Sequence, residues 1–219
     1  MTEALRNLSR PDVRTPFLLI TVNFYLVMLS GPFAIIFYSV QIFQSAGGGL
    51  DQHLAAIIVA TIRVLGGIVG IFLVQKLPRV GLSMATMTLM SVSMAVLGGS
   101  LYTKATGPVV DLLPLISVGT FMFSFAAGAA PLQFVFLGEL LPREYKVLSG
   151  LVMFLCTTAI FLVTKIFPFL LTSLSPPGTY WSFAAVSLAS NVFYFFVMPE
   201  TRGKTALEIK QMFLGRQQT

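Results

Sequence analysis

The stretch AAGAAPLQFVFLGELLPREYK, Ala126–Lys146, decides how the chain is read. It opens with small residues around Gly128, carries Pro131 inside an apolar run, and ends in Glu139, Arg143, Glu144 and Lys146. Proline removes a backbone donor and bends a helix. In lipid such a break is tolerated only where neighbouring helices or a water-filled cavity satisfy the freed backbone groups. A broken apolar helix that ends in paired charges marks a moving part of a membrane protein.

Composition sets the same scene. Of 219 residues, 56% are apolar and only 10% are charged, and the mean hydropathy is +0.86. Soluble domains carry roughly 25% charged residues. The length suits about six membrane-crossing helices with short loops. The net charge of +6 would suggest nucleic acid in a soluble protein, but here the basic residues cluster by side of the membrane, so no nucleic-acid partner is expected. Cys156 is the single cysteine and sits in an apolar run, which excludes a disulfide within the chain. His53 is the single histidine and falls in a loop, so no histidine-based metal site can be built. The start is too polar, and the apolar run after it too long, for a signal peptide.

Six spans follow in order, at about 17–43, 54–74, 82–101, 112–137, 148–171 and 180–198. Residues 1–16 form a cytosolic segment ahead of the bundle, and 199–219 a cytosolic tail with a short amphipathic stretch at 206–214. Asn7-Leu8-Ser9 matches a glycosylation sequon that a cytosolic location would leave unused. Span 1 is interrupted by Gly31-Pro32, span 2 carries Gly66, Gly67 and Gly70, and Tyr102, Tyr180 and Trp181 stand at membrane interfaces. The leading segment, the links after spans 2 and 4, and the tail hold three, two, two and four basic residues. The other three are Lys104 in the link after span 3, and Arg63 and Lys165 inside spans. By the positive-inside rule both termini are cytosolic. Spans 1 and 4 are both interrupted and each leads a set of three. This is the inverted 3+3 pattern of secondary transporters, whose broken helices border the substrate path. Gly31 and Gly128 are accordingly expected to border an aqueous route.

Several motifs resemble the sugar porters of the major facilitator superfamily. Pro199-Glu200-Thr201-Arg202-Gly203-Lys204-Thr205 is similar to the PETKGRT-type signature after their last helix. Ser30-Gly31, with Ala34 through Phe43 after it, resembles their seventh helix, and Gly138-Glu139-Leu140-Leu141-Pro142 the segment after their tenth. Val163-Thr164-Lys165 adds a likeness to the insect facilitated trehalose transporter-like group. The resemblance implies an all-α polytopic protein forming the C-terminal six-helix half of a major-facilitator fold. It implies facilitated sugar transport, with a hexose or trehalose-like substrate. A partner N-terminal half, from the same gene or another chain, and the plasma membrane follow from it too. No cofactor is implied.

Arg63 is the sharpest single residue. A charge near mid-span costs at least ~2.5 kcal/mol on insertion scales. In the resemblance it takes the place of a sugar-binding Asn. Two readings stand side by side: a donor to substrate hydroxyls, or a structural charge bonded to backbone or to Asn23 or Tyr38. Tyr38 aligns with an aromatic over the outer mouth of the site, and Lys165 is expected to snorkel. The family's two sugar-binding glutamines fall on Val27 and Met28, a later Asn on Phe33, the Pro-Trp pair on Gln133-Phe134, and the Asn-Trp pair near Thr157-Thr158. Leaving a sugar's hydroxyls unpaired costs roughly 1–3 kcal/mol each, so these replacements leave a compensated sugar site and a changed or lost specificity both open. The expected substrate wall is Arg63, Phe33, Tyr38, Gly128, Gln133, Phe134 and Thr157. The family's cytosolic salt-bridge latch maps onto Glu139, Lys146, Glu200, Lys76 and Arg79, although the link Gln75-Lys76-Leu77-Pro78-Arg79 lacks the acid and glycine of the family's D-R-x-G-R.

No catalytic constellation is present, so no enzyme is expected. No acid lies mid-span, which points to equilibrative rather than proton-driven movement. A non-transporting, truncated or diverged relative that binds a partner is the competing reading.

Overall fold

A computed structural model describes residues 11–46, 51–103, 107, 110–141, 146–205, 208–209 and 211–212. The helices are α1 (Pro11–Leu29), α2 (Pro32–Ala46), α3 (Gln52–Lys76), α4 (Arg79–Thr103), α5 (Leu113–Ser124), α6 (Ala130–Leu140), α7 (Lys146–Ser173) and α8 (Ser175–Phe196), with a π-helical turn, Phe125–Ala129, joining α5 to α6. No strand occurs among the described residues. Because α1 and α2 are one rod broken at Gly31, and α5, the π turn and α6 are another, the fold is six rods. It is one half of a major-facilitator architecture. Five of these rods are long and apolar enough to cross a membrane: Val13–Ser45, Gln52–Lys76, Arg79–Thr103, Leu113–Leu140 and Val147–Ser173. The sixth, α8, has 22 residues and is diluted by Ser182, Ser187, Ser190 and Asn191.

The two interrupted rods are interrupted differently. At the first, the Ser30 hydroxyl donates to the Val27 carbonyl (2.7 Å), Gly31 takes φ +92°, and Pro32 starts α2 with the fixed φ that suits a first helical position. At the second the chain never leaves the helical region. Pro131 brings no N–H, and the turn widens so that the Ala130 N–H reaches the Phe125 carbonyl.

Packing explains the glycines of α3. A Cβ on Gly66 would sit 2.7 Å from the Phe123 carbonyl oxygen, and one on Gly70 2.8 Å from that of Ala127. The Gly66-x-x-x-Gly70 spacing thus lets α3 lie directly on the widened turn, backbone to backbone, as small residues do between membrane helices. On the other side α4 and α8 form the most extensive pair in the bundle. The Trp181 indole N–H donates to the Ala95 carbonyl across them (3.3 Å). Coverage is uneven: 61% of the most apolar stretch of the first and fourth rods is buried, against 17% for α3 and 28% for α7.

His53 falls in the first turn of α3 rather than in a loop. The turn is capped by Asp51, whose Oδ1 accepts the His53 and Leu54 amides (2.9 and 3.0 Å). Among the described residues no group of three His, Cys, Asp or Glu is close enough to hold a metal. Residues 1–10, Lys104, Pro142, Arg143 and Glu144 lie outside the described residues, as do parts of the 206–214 stretch.

Candidate functional site

Two sets of side chains carry the chemistry, one at an end of the bundle and one along its uncovered helices.

The end set joins the finish of α3, the start of α4, the finish of α6 and the chain after α8. Arg79 Nη2 pairs with Glu139 Oε1 at 3.3 Å, and Arg79 Nη1 donates to the Val74 carbonyl. The Thr201 hydroxyl donates to the other Glu139 oxygen at 2.6 Å. Glu200 serves the backbone: its two oxygens accept the Arg79 and Val80 amides, each at 3.0 Å. These are the orphan donors of the first turn of α4, where a carboxylate also meets the positive end of the helix dipole. The same Glu200 accepts the Arg202 amide (3.0 Å), and the Arg202 guanidinium donates to the Gln75 carbonyl (3.3 Å). Of the five residues expected here, Arg79, Glu139 and Glu200 are brought together. Lys76 stands exposed beside them, and the Lys146 side chain lies outside the described residues. Thr201 and the α4 amides complete the cluster without having been singled out in the sequence. Farther along, the Thr205 amide and hydroxyl donate to Glu208 (2.6 and 2.8 Å), which holds that carboxyl below its usual range.

Along α3, the covered line is Ala55, Val59, Gly66 and Gly70. One flank carries Ile58 and Ile62, which line a shallow apolar groove with Leu115 and Ile116 of α5. The third neighbour of α3, α2, therefore takes the other flank. Ala56, Ala60, Arg63 and Gly67 share that flank at the i, i+4, i+7, i+11 spacing of a helix face. Arg63 is exposed and halfway along α3, and a Cβ on Gly67 would meet nothing within 4 Å. The guanidinium thus stands among small residues with room around it. Asn23 is engaged elsewhere: its Oδ1 accepts the Tyr194 hydroxyl at 2.5 Å. Tyr38 donates to the Thr164 carbonyl at 3.4 Å. Neither holds Arg63, and among the described residues no carboxylate pairs with it.

The remaining expected wall residues divide. On α7, Met153, Thr157, Ile160 and Thr164 repeat the same spacing on the flank that meets Tyr38. Thr157 is exposed, its hydroxyl turned to the Met153 carbonyl (3.0 Å). Phe134 is exposed and meets Phe24 edge-on at 6.0 Å, and half-buried Phe33 meets Phe125 at 6.2 Å. Tyr38 lies 5.0 Å from the Phe167 ring. Gln133 is shut inside the half, with its amide nitrogen unpaired among the described residues. The two glycines differ from expectation. A Cβ on Gly128 would meet Thr86 Cγ2 of α4 at 2.5 Å, and one on Gly31 the Phe183 ring of α8 at 2.6 Å. Both point into the half, where they permit close packing. Lys165 is exposed on the face of α7 turned away from its buried line, beside Phe161 and Phe169.

With this geometry in place, comparison with known proteins is direct. Residues 2–213 match the family model described as Sugar (and other) transporter. The chain belongs to this family. It is 35% identical over 194 residues to a facilitated trehalose transporter Tret1-2 homolog of Drosophila sechellia, covering 85% of this chain and 39% of the relative. Against the facilitated trehalose transporter Tret1 of Aedes aegypti it is 30% identical over 220 residues, covering 97% of this chain and 27% of the relative. The chain thus spans less than half the length of these relatives. Its fold is similar to part of a solved structure of the xylose transporter XylE from E. coli, described as a partially occluded inward open conformation. That match has a TM-score of 0.71 at 22% identity and covers 93% of this chain and 44% of the other. These relatives are transporters rather than enzymes. The sugar transporter family and the five long apolar helices make this a multi-pass membrane protein.

Proposed function

We propose that the chain is one half of a facilitated sugar carrier that works by alternating access. In this reading a second six-helix half, in the same polypeptide or another chain, covers the open flanks of α2, α3, α6 and α7. The carrying observation is the uneven coverage: 17% and 28% burial of membrane-length α3 and α7, with a charge halfway along α3. Lipid would cover an apolar flank, but a mid-span guanidinium calls for a cavity or a partner. Arg63, Phe33, Tyr38, Phe134 and Thr157 then form the substrate wall, with Gln133 behind it and Gly128 supporting it through packing. Arg79, Glu139 and Glu200, with Lys76 and Lys146 beside them, form a cytosolic latch that is closed in one state and opened in the other. Both termini are cytosolic and the protein sits in the plasma membrane. No acid in a span is placed to carry a proton, so movement follows the sugar gradient.

The test is uptake of labelled sugar by cells expressing the natural transcript, with Arg63→Ala and Glu139→Gln beside it. Uptake should saturate, survive dissipation of the proton gradient, and fall at least about tenfold in Arg63→Ala, the loss of one charged hydrogen-bond donor. Uptake that collapses with the proton gradient removes the equilibrative mechanism. No uptake from protein at the cell surface supports the non-transporting relative, a reading favoured by Val27, Met28 and Phe33 at positions the family resemblance makes polar.

A further inference from the structure

We propose that the substrate taken at Arg63 is an acidic sugar, one carrying a single carboxylate, rather than a neutral one. This rests on the carrier reading above and narrows its substrate. Three observations carry it. Arg63 is exposed halfway along α3 among Ala56, Ala60 and Gly67, so its five donors are free to meet a ligand. Among the described residues no carboxylate pairs with it. The chain's eight acids are Glu3, Asp12, Asp51, Asp111, Glu139, Glu144, Glu200 and Glu208. None of them lies near the middle of a span, Glu139 being next to the last residue of its rod, and Glu139 and Glu200 are already occupied at the α4 start. The rest of the proposed wall is also poor in groups suited to neutral hydroxyls. Phe33, Phe134, Ile160 and Met153 are apolar, the Thr157 hydroxyl is spent on its own helix, and Tyr38 OH is turned to the Thr164 carbonyl.

A neutral sugar needs many modest hydrogen bonds to replace its water. This wall offers few of them and one fixed positive charge. A guanidinium matches a carboxylate in planar, two-pronged geometry, and such charge-assisted bonds are about twice as strong as neutral ones. The rings of Phe33 and Phe134 remain to meet the apolar side of a sugar ring through their faces. Lys165 takes no part, since it stands with exposed Phe161 and Phe169 on the face of α7 turned away from its buried line.

The experiment measures uptake of labelled D-glucuronate and D-glucose, at equal concentration, by cells expressing the natural transcript. Arg63→Asn and Arg63→Lys are measured beside it, with surface abundance measured for each. Glucuronate should be favoured by roughly tenfold, the scale of one charge-assisted bond. Arg63→Asn should abolish the preference and Arg63→Lys should keep most of it. Glucose entering as fast as glucuronate, or a ratio unmoved by Arg63→Asn, overturns this inference and leaves the carrier reading standing. Entry of neither sugar, from protein at the surface, removes both.

Discussion

The first and fourth rods are broken at matching places, yet the two breaks are different devices. In the first, the helix stops. Gly31 takes a positive φ, Pro32 restarts the chain, and the Phe183 ring lies on the glycine with no room for a methyl group. In the second, the helix continues and swells by one turn, Phe125–Ala129. That turn offers carbonyls rather than a gap, and Gly66 and Gly70 of α3 pack on them. The lesson lies in the position of the proline. Directly after a glycine it ends one helix and begins another. Three residues after Gly128, among alanines, it widens the helix instead.

The contrast can be broken at several points. The largest effect is expected for Gly31→Ala, which combines a Cβ 2.6 Å from a Phe183 ring carbon with a left-handed backbone costing roughly 1–2 kcal/mol for an L-residue. Thermal unfolding in detergent should show a drop of several degrees. Trimming the ring with Phe183→Leu should restore only part of it, because the backbone cost persists. Full recovery would mean that the break is a packing feature alone.

A smaller loss is expected at the swollen turn, where two glycines separate two kinds of contact. Gly70→Ala meets a carbonyl that cannot turn aside and should cost about 1–3 kcal/mol, as overpacking does. Gly128→Ala meets the methyl of Thr86 at 2.5 Å, so the double variant with Thr86→Ser should regain most of the melting temperature. Equal behaviour of the two glycines would remove the distinction between backbone and side-chain contact.

The least change is expected for Pro131→Ala. It returns a backbone donor, but the packing of α3 on the turn holds the wide geometry, so the melting point should move by less than ~1 kcal/mol equivalent. A gain well beyond that would show that proline alone keeps the turn open.

Much of this was legible in the residues. Six apolar runs, the Gly31-Pro32 and Pro131 interruptions, and the acids of the Gly-Glu-Leu-Leu-Pro and Pro-Glu-Thr-Arg motifs pointed to the six-helix fold and the polar cluster. What escaped was direction. Gly128 reads as a residue of an aqueous route, but which way it points depends on the extra residue in the π turn, and no local pattern counts that residue. Lys76 and Arg79 read as equals, yet only Arg79 begins α4 and so faces Glu139. Glu200 reads as half of a salt bridge, whereas its partners are three backbone amides, which carry no letter in the sequence. Thr201 was overlooked because a hydroxyl next to an acid gives no signal until a second acid arrives from another helix. Arg63 was found by its cost, and its place was then decided by the small residues seven before, three before and four after it.

Glu200 has a practical consequence. By holding the opening amides of α4, it makes the stretch that follows α8 a structural brace. Shortening the protein at Met198, or fusing a reporter there, would fray a helix more than a hundred positions earlier in the chain. Labels and purification handles belong beyond Thr205, where the brace is already complete.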